Sequence, residues 1–208
     1  MGNNYANKYF NVINEALNNS VYKLNSNIVS SEVMFFGVNE LLLKVSKSEG
    51  RIFFLGNGAS AAFANHMALD FSKNGKIISR SLSDSAMLTA LANDYSYNSA
   101  MTEFLKIESV NSKDLIITIS SSGNSGNIVN SLEYCKSYNI ETLTLSGLKN
   151  DNKSIELSNN SIYVPMKTYG IVECVHQIFL HLILDNYMKI FEWDRETFQN
   201  MNHENFKI

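Results

Sequence analysis

Apolar positions recur along the chain with two different periods, and the changes between them divide it into helices and strands. Tyr9, Phe10, Val12, Ile13 and Leu17 follow helical spacing. So do Val33, Phe36, Val38, Leu41, Leu42 and Val45, with a start signal at Ser31-Glu32. Residues 5–47 are therefore expected to be mostly helical, as an arm that packs either on a partner subunit or back on its own sheet. Ile52, Phe53, Phe54 and Leu55 form a continuous apolar run inside Arg51–Leu55, the pattern of a parallel strand covered on both faces. A helix from about Ser60 to Ser72 and a weaker strand at Lys76–Leu82 follow. Residues 84–108 read as helical, with a break at Asn93-Asp94. Leu115–Ile119 is a second clear strand, with a serine-rich turn and a helix from Asn127 to about Ser137 after it. Strands at Glu141–Leu145 and Ser161–Pro165 flank a short helix around Lys153–Leu157. Tyr169–Ile190 reads as one long apolar helix, and the polar tail from Glu192 is expected on the surface.

Strands alternating with helices predict an α/β fold with a largely parallel sheet. Right-handed crossovers gather the strand C-termini on one edge, where such folds bind ligands. The turns at 56–60 and 120–126 both leave strand C-termini and should face one crevice. No repeat, linker or low-complexity segment divides the chain. One domain is expected over 1–208, with N-terminal helices at 1–47, an α/β core at 51–190 and a surface tail at 191–208.

Length and composition agree with that picture. The 208 residues, 45% hydrophobic and 18% charged, suit one sizeable core. A net charge of −3 without a basic cluster argues against a nucleic-acid partner. No stretch reaches the ~20 apolar residues of a membrane span, and the N-terminus lacks an apolar signal core. Cys135 and Cys174 form no CxxC pair and fall in apolar helical patterns, so buried free thiols and a cytoplasmic setting are expected.

Chemistry concentrates at two places. Ser120-Ser121-Ser122-Gly123-Asn124-Ser125-Gly126 runs from a strand into a helix without a Lys or Arg. Its hydroxyls and N–H groups can receive a phosphate, aided by the helix dipole, although a plain polar cap would use the same residues. The ending of a nucleotide-binding P-loop is missing, and no nucleotide cofactor is expected. The second place is histidine-rich. His66 and Asp70 share a helical face. On the last helix, Glu173, Gln177 and His181 fall within about 80° of one another at helical spacing. That stripe is either one wet face or the wall of the crevice facing His66 and Asp70. In the crevice, such groups could hold zinc, iron or manganese, or serve without metal as a general acid and base.

The ordered set of Gly56-Asn57-Gly58-Ala59-Ser60, His66 with Asp70, the 88–98 run around Asn93-Asp94, the serine turn, and Glu173 with His181 resembles the sugar isomerase (SIS) domain. Within it, the set resembles the sedoheptulose-7-phosphate (phosphoheptose) isomerases, over roughly residues 30–190. The resemblance implies a three-layer, flavodoxin-like α/β sandwich with a five-stranded parallel sheet and an N-terminal helical arm. It implies a homotetramer with sites between subunits, taking a sugar phosphate in lipopolysaccharide or capsule heptose synthesis. Sedoheptulose 7-phosphate would be converted to D-glycero-D-manno-heptose 7-phosphate through an enediol. Asn57, Gly58, Ala59, Asn93, Asp94, Ser120, Ser121, Ser122, Ser125 and Glu173 are then substrate-binding. Asp70, Glu173 and His181 are catalytic, and His66, Asp70, Glu173 and His181 would hold a divalent metal, zinc by preference.

Several positions depart from the family pattern. Ala59 replaces Gly, Asp70 replaces Glu, and Glu173 replaces Gln. The family's Asp-Arg-Ile-Gln reads Gly170-Ile171-Val172-Glu173, and its Gly-Arg-Tyr reads Lys73-Asn74-Gly75. Asp70 is shorter than Glu by one methylene, about 1.5 Å, and Glu173 could compensate with charge from the facing helix. A non-catalytic SIS protein that binds a sugar phosphate or a partner protein, and an isomerase for another sugar phosphate, are the alternatives.

Overall fold

The computed structural model describes residues 4–191, so the tail expected on the surface lies outside the described residues. Helix α1 (Tyr5–Asn18) ends at Asn19. Strands β1 (Val21–Leu24) and β2 (Asn27–Val29) then form an antiparallel hairpin. Its turn residues Asn25 and Ser26 both take positive φ, 48° and 69°, the condition for the two-residue turn that matches strand twist. Helix α2 (Ser31–Lys47) starts at Ser30, whose hydroxyl accepts from the Val33 N–H. The core follows as β3 (Ile52–Gly56), α3 (Ala59–Lys73), β4 (Ser79–Ser81), α4 (Ser85–Asp94) and α5 (Ala100–Ile107). It continues with β5 (Leu115–Ser120), α6 (Gly126–Ser137), β6 (Glu141–Gly147), α7 (Lys153–Leu157), β7 (Asn160–Val164) and α8 (Tyr169–Met188).

The sheet has seven strands in the order β2-β1-β7-β6-β5-β3-β4, which corrects the expected five-stranded parallel sheet. Strands β4, β3, β5, β6 and β7 run parallel to one another. Strand β1 joins β7 antiparallel, and β2 joins β1 antiparallel, so the sheet is mixed. The helical reading of 5–47 fails between Asn18 and Val29. There, polar residues stop α1, and Val-Tyr-Lys-Leu is too short and too irregular in burial to stand out beside two helices. The hairpin covers the β7 edge, while the opposite edge strand, β4, spans only three residues; both limit the unpaired backbone.

Alternation along β3 divides the core. Ile52 and Phe54 pack with Met34 and Leu42 of α2, Met67 and Phe71 of α3, and Phe179 and Leu180 of α8. Phe53 and Leu55 pack on the other face with Phe104 of α5 and Ile128 and Leu132 of α6. Helices therefore cover both sides, giving three layers. Cys135 is buried as expected, but Cys174 is exposed on the outer face of α8, against the sequence reading.

At the N-terminal ends of β3 and β5, the buried Asp114 carboxylate accepts from the Arg51 N–H at 2.8 Å and the Asn111 N–H at 3.0 Å. It also pairs with the Arg51 guanidinium at 3.1 Å, which reaches Glu108 at 3.2 Å as well. Asp114→Ala would strand these donors and is expected to lower the unfolding free energy by about 2–4 kcal/mol. The check is a reduced urea midpoint at unchanged slope.

Candidate active site

Strand order reverses between β3 and β5: β4 lies beyond β3 on one side, and β6 and β7 lie beyond β5 on the other. This switch point opens a crevice above the strand C-termini. Both turns singled out in the sequence fall there. One is the β3–α3 turn, where Gly58 takes φ +55° and ψ −124°, a conformation that only glycine adopts readily. A Cβ at Gly58 would meet nothing within 4 Å, so the turn is open on that side.

The serine turn is the other. Ser120 and Ser121 are buried, and the Ser121 hydroxyl has no partner among the described residues. Ser125 occupies the N-cap position of α6, yet its side chain makes no capping bond. Among the described residues, the Ser125 hydroxyl at the N-terminus of α6 makes no cap bond, and the buried Ser121 hydroxyl behind it has no partner. The Ser122 hydroxyl accepts from the Asn124 N–H at 3.3 Å. Helix α7 backs the turn: both the N–H and the hydroxyl of Ser154 donate to the Gly123 carbonyl, at 3.0 and 2.8 Å. The Gly147 N–H donates to the Ser121 carbonyl at 3.0 Å, tying in the end of β6. A rigid, neutral set of donors at the start of α6 is suited to a phosphate.

Helices α3 and α8 pack side by side and bring three side chains together. His66, Asp70 and His181 offer one ligand atom each, all within 4.8 Å of one another. His66 Nε2 lies 3.3 Å from Asp70 Oδ2. The two imidazoles meet edge to face, with centroids 5.3 Å apart. Two imidazoles and a carboxylate on two rigid helices match the three-ligand set of catalytic zinc sites, so the residues fit a divalent ion. Glu173 is outside this group. It precedes His181 by eight residues on the same helix, about 12 Å along the axis. The polar neighbour that the structure gives His181 is Gln177, with Nε2 to Nε2 at 2.8 Å. Which of the two groups donates depends on the tautomer of His181. Gln177 belongs to the polar stripe of the sequence but is absent from the residues the family resemblance supplied. Asp185, one turn beyond His181, carries no motif that sequence reading could find. Burial raises its carboxyl pKa, the His181 ring lowers it and Asp70 raises it.

The remaining expected residues are outside the His66–Asp70–His181 group. Asn93 and Asp94 end α4, exposed, with Asn93 Nδ2 donating to Asp94 Oδ1 at 2.9 Å. Asn57 is held by a reciprocal amide pair with Asn127 and by the hydroxyl of Tyr97; sequence reading passed over both partners. Ala59 begins α3.

His176 is fully buried, with Nε2 3.1 Å from the Ser146 carbonyl at the end of β6. Burial lowers its pKa to about 4, against a smaller raising effect of that carbonyl. The folded pKa is below the unfolded value near 6.5, so protons favour the unfolded chain. The contribution is intact above pH 6.5 and is lost as pH falls toward 4. The expected loss is roughly 2 kcal/mol at pH 5, seen as a urea midpoint that drops between pH 7 and pH 5 and drops less in His176→Leu.

Comparisons with known proteins show the family of the chain and its fold. The SIS domain model matches residues 8–147. A phosphoheptose isomerase of Helicobacter pylori (strain P12) is 32% identical over 152 residues, covering 70% of this chain and 78% of that protein. One from Aneurinibacillus thermoaerophilus is 33% identical over 147 residues, covering 68% and 73%. The structure of a phosphoheptose isomerase from Neisseria gonorrhoeae shares the fold, with a TM-score of 0.75 at 22% identity, over 88% of this chain and 95% of that one.

Proposed function

The chain belongs to the SIS-domain proteins and, among them, to the phosphoheptose isomerases, and we propose that the crevice between β3 and β5 is its active site. The protein is a sugar-phosphate isomerase that interconverts sedoheptulose 7-phosphate and heptose 7-phosphate. The observation that carries the site reading is the convergence of His66, Asp70 and His181 within 4.8 Å, on helices packed against the sheet whose C-terminal edge carries the serine turn.

In this reading, Ser120, Ser121, Ser122, Ser125 and the N-terminus of α6 hold the phosphate. Asn57, Gly58 and Ala59, with Asn93 and Asp94, contact the sugar. Anchoring the far end of the substrate fixes the reacting carbons, so remote binding energy is spent on orientation. Asp70 takes the proton from the carbon beside the carbonyl, and that electron pair becomes the C=C bond of the enediol. His181 moves a proton between the two oxygens, and Asp70 returns its proton to the neighbouring carbon. His66, Asp70 and His181 would also hold a divalent metal, zinc by the preference of this donor set, which would polarise the carbonyl oxygen.

Glu173 enters the reading only across a subunit boundary, because within one chain it is two helical turns from His181. Exposed apolar side chains on α1, α2 and α8, including Phe10, Phe36, Ile178 and Leu182, support such a boundary. An apolar groove of about 1160 Å³ between α2 and α8 reaches as far as Gln177 and His181. The proposed assembly is a homotetramer with sites between subunits. No described helix is long and apolar enough to cross a membrane, and two free thiols support a cytoplasmic setting.

The test combines turnover and assembly. Purified protein with zinc should convert sedoheptulose 7-phosphate to an aldose and run as a tetramer in light scattering. Mixing refolded Asp70→Asn and Glu173→Gln subunits should restore part of the activity that each lacks alone. A fully active monomer would remove the shared site, and inertness toward the sugar phosphate with every divalent metal would remove the isomerase site itself.

A further inference from the structure

We infer that Tyr97 and Asn127 are positioning residues that fix the Asn57 side-chain amide as a hydrogen-bond donor for a substrate oxygen. The inference rests on the isomerase-site reading and deepens it. Asn57 is on the β3–α3 turn, Asn127 is the second residue of α6, and Tyr97 is on the α4–α5 connection. The orientation of all three follows from one backbone group. The Ile128 N–H can only donate, and it donates to Asn127 Oδ1 at 3.0 Å. Asn127 Nδ2 is thereby turned to Asn57 Oδ1, at 2.9 Å. Asn57 Nδ2 in turn donates to Asn127 Oδ1, also at 2.9 Å. Reversing either amide would set oxygen against oxygen and nitrogen against nitrogen. The Tyr97 hydroxyl, 2.8 Å from Asn57 Oδ1, must then donate.

Asn57 Oδ1 is thus occupied by two donors. One N–H of its amide is used, and the other has no partner among the described residues. The turn therefore offers a donor and no acceptor at this point, which selects a substrate oxygen that can accept, such as a carbonyl, an enediolate or a phosphate oxygen. Tyr97 is about half exposed, but its segment is anchored. The Asn98 carbonyl accepts from Asn130 Nδ2 at 3.0 Å, and the Ser99 N–H donates to the Ser96 hydroxyl at 3.1 Å. The network also ties the two walls of the crevice, since Asn57 belongs to one turn and Asn127 to the helix that the other begins.

Tyr97→Phe keeps the ring and deletes the hydroxyl. It should raise KM for sedoheptulose 7-phosphate about tenfold, with an unchanged melting temperature. In wild type, the Asn57 side-chain NH2 signals should show two inequivalent protons, and the sugar phosphate should shift the unbonded one. In Tyr97→Phe, that shift should require about tenfold more ligand. Unchanged KM and unchanged NMR titration in Tyr97→Phe would overturn the inference, as would a loss fully explained by unfolded protein. Sugar binding that moves the Asn57 signal without turnover would remove the isomerase reading and leave this one standing.

Discussion

Asp70→Asn is expected to leave the fold intact and to reduce turnover of sedoheptulose 7-phosphate by about 10²–10⁴-fold. The substitution is nearly isosteric, and Asp70 is a part-exposed helix residue, so stability should change by less than about 1 kcal/mol. What is lost is the only carboxylate in the group with His66 and His181. An amide cannot accept the carbon-bound proton, and it is a poor ligand for a divalent ion. Metal content should therefore fall with turnover, read by elemental analysis of dialysed protein. Asp70 lies 3.3 Å from His66 and within 4.8 Å of His181 at its own length, and Glu173 of the same chain is outside that group. An Asp70→Asn variant that keeps wild-type turnover would remove Asp70 as the base.

Gly123→Ala should raise KM by about 10–100-fold while kcat changes less. Gly123 takes φ +62° in the middle of the serine turn, where an alanine costs about 1–2 kcal/mol of backbone strain. Space is the larger problem. A Cβ there would overlap the side-chain oxygen of Asn152. Asn152 cannot move freely, because it caps α7 and donates to the Lys149 carbonyl at 2.7 Å and to the Ser146 hydroxyl at 3.2 Å. The turn must shift instead, and with it the Ser121 and Ser125 hydroxyls. Gly58→Ala differs: the space beside Gly58 is open, so no neighbour is displaced, but its φ of +55° with ψ of −124° is strained for any residue with a Cβ and the strain falls on the turn assigned to the sugar. Steady-state kinetics with the sugar phosphate should separate the two, the loss in Gly123→Ala being mainly one of affinity.

Much of the core was legible in the sequence because its signals are local. The run Ile52–Leu55, the apolar strand at Leu115 and the serines after it each declare their element within a few residues. Lys153–Leu157 is a helix over the span expected. The hairpin at 21–29 was not legible. Its two strands are short, its turn is Asn-Ser and not the commoner Asn-Gly, and its pairing partner β7 lies more than 130 residues away. Cys174 reads as core because α8 is apolar almost all round, and nothing in the periodicity separates the side facing the sheet from the side facing outward. Spacing put Glu173, Gln177 and His181 on one stripe, but a stripe does not say which member meets α3. The packing of α3 on α8 brings His181 to His66 and leaves Glu173 two turns away. Tyr97 lies in the 88–98 run and Asn127 directly after the serine turn, but neither is singled out by its motif; their significance appears only when two turns and a loop converge on Asn57.

The most direct test is solvent exchange. Wild type, supplied with zinc, is incubated with sedoheptulose 7-phosphate in D2O and followed by proton NMR beside Asp70→Asn. The His66–Asp70–His181 site predicts an aldose 7-phosphate product, with deuterium at the carbon next to the carbonyl, and neither signal in Asp70→Asn above about 1% of the wild-type rate. Wild-type protein that yields neither product nor deuterated sugar, or an Asp70→Asn protein that yields both at the wild-type rate, would contradict it.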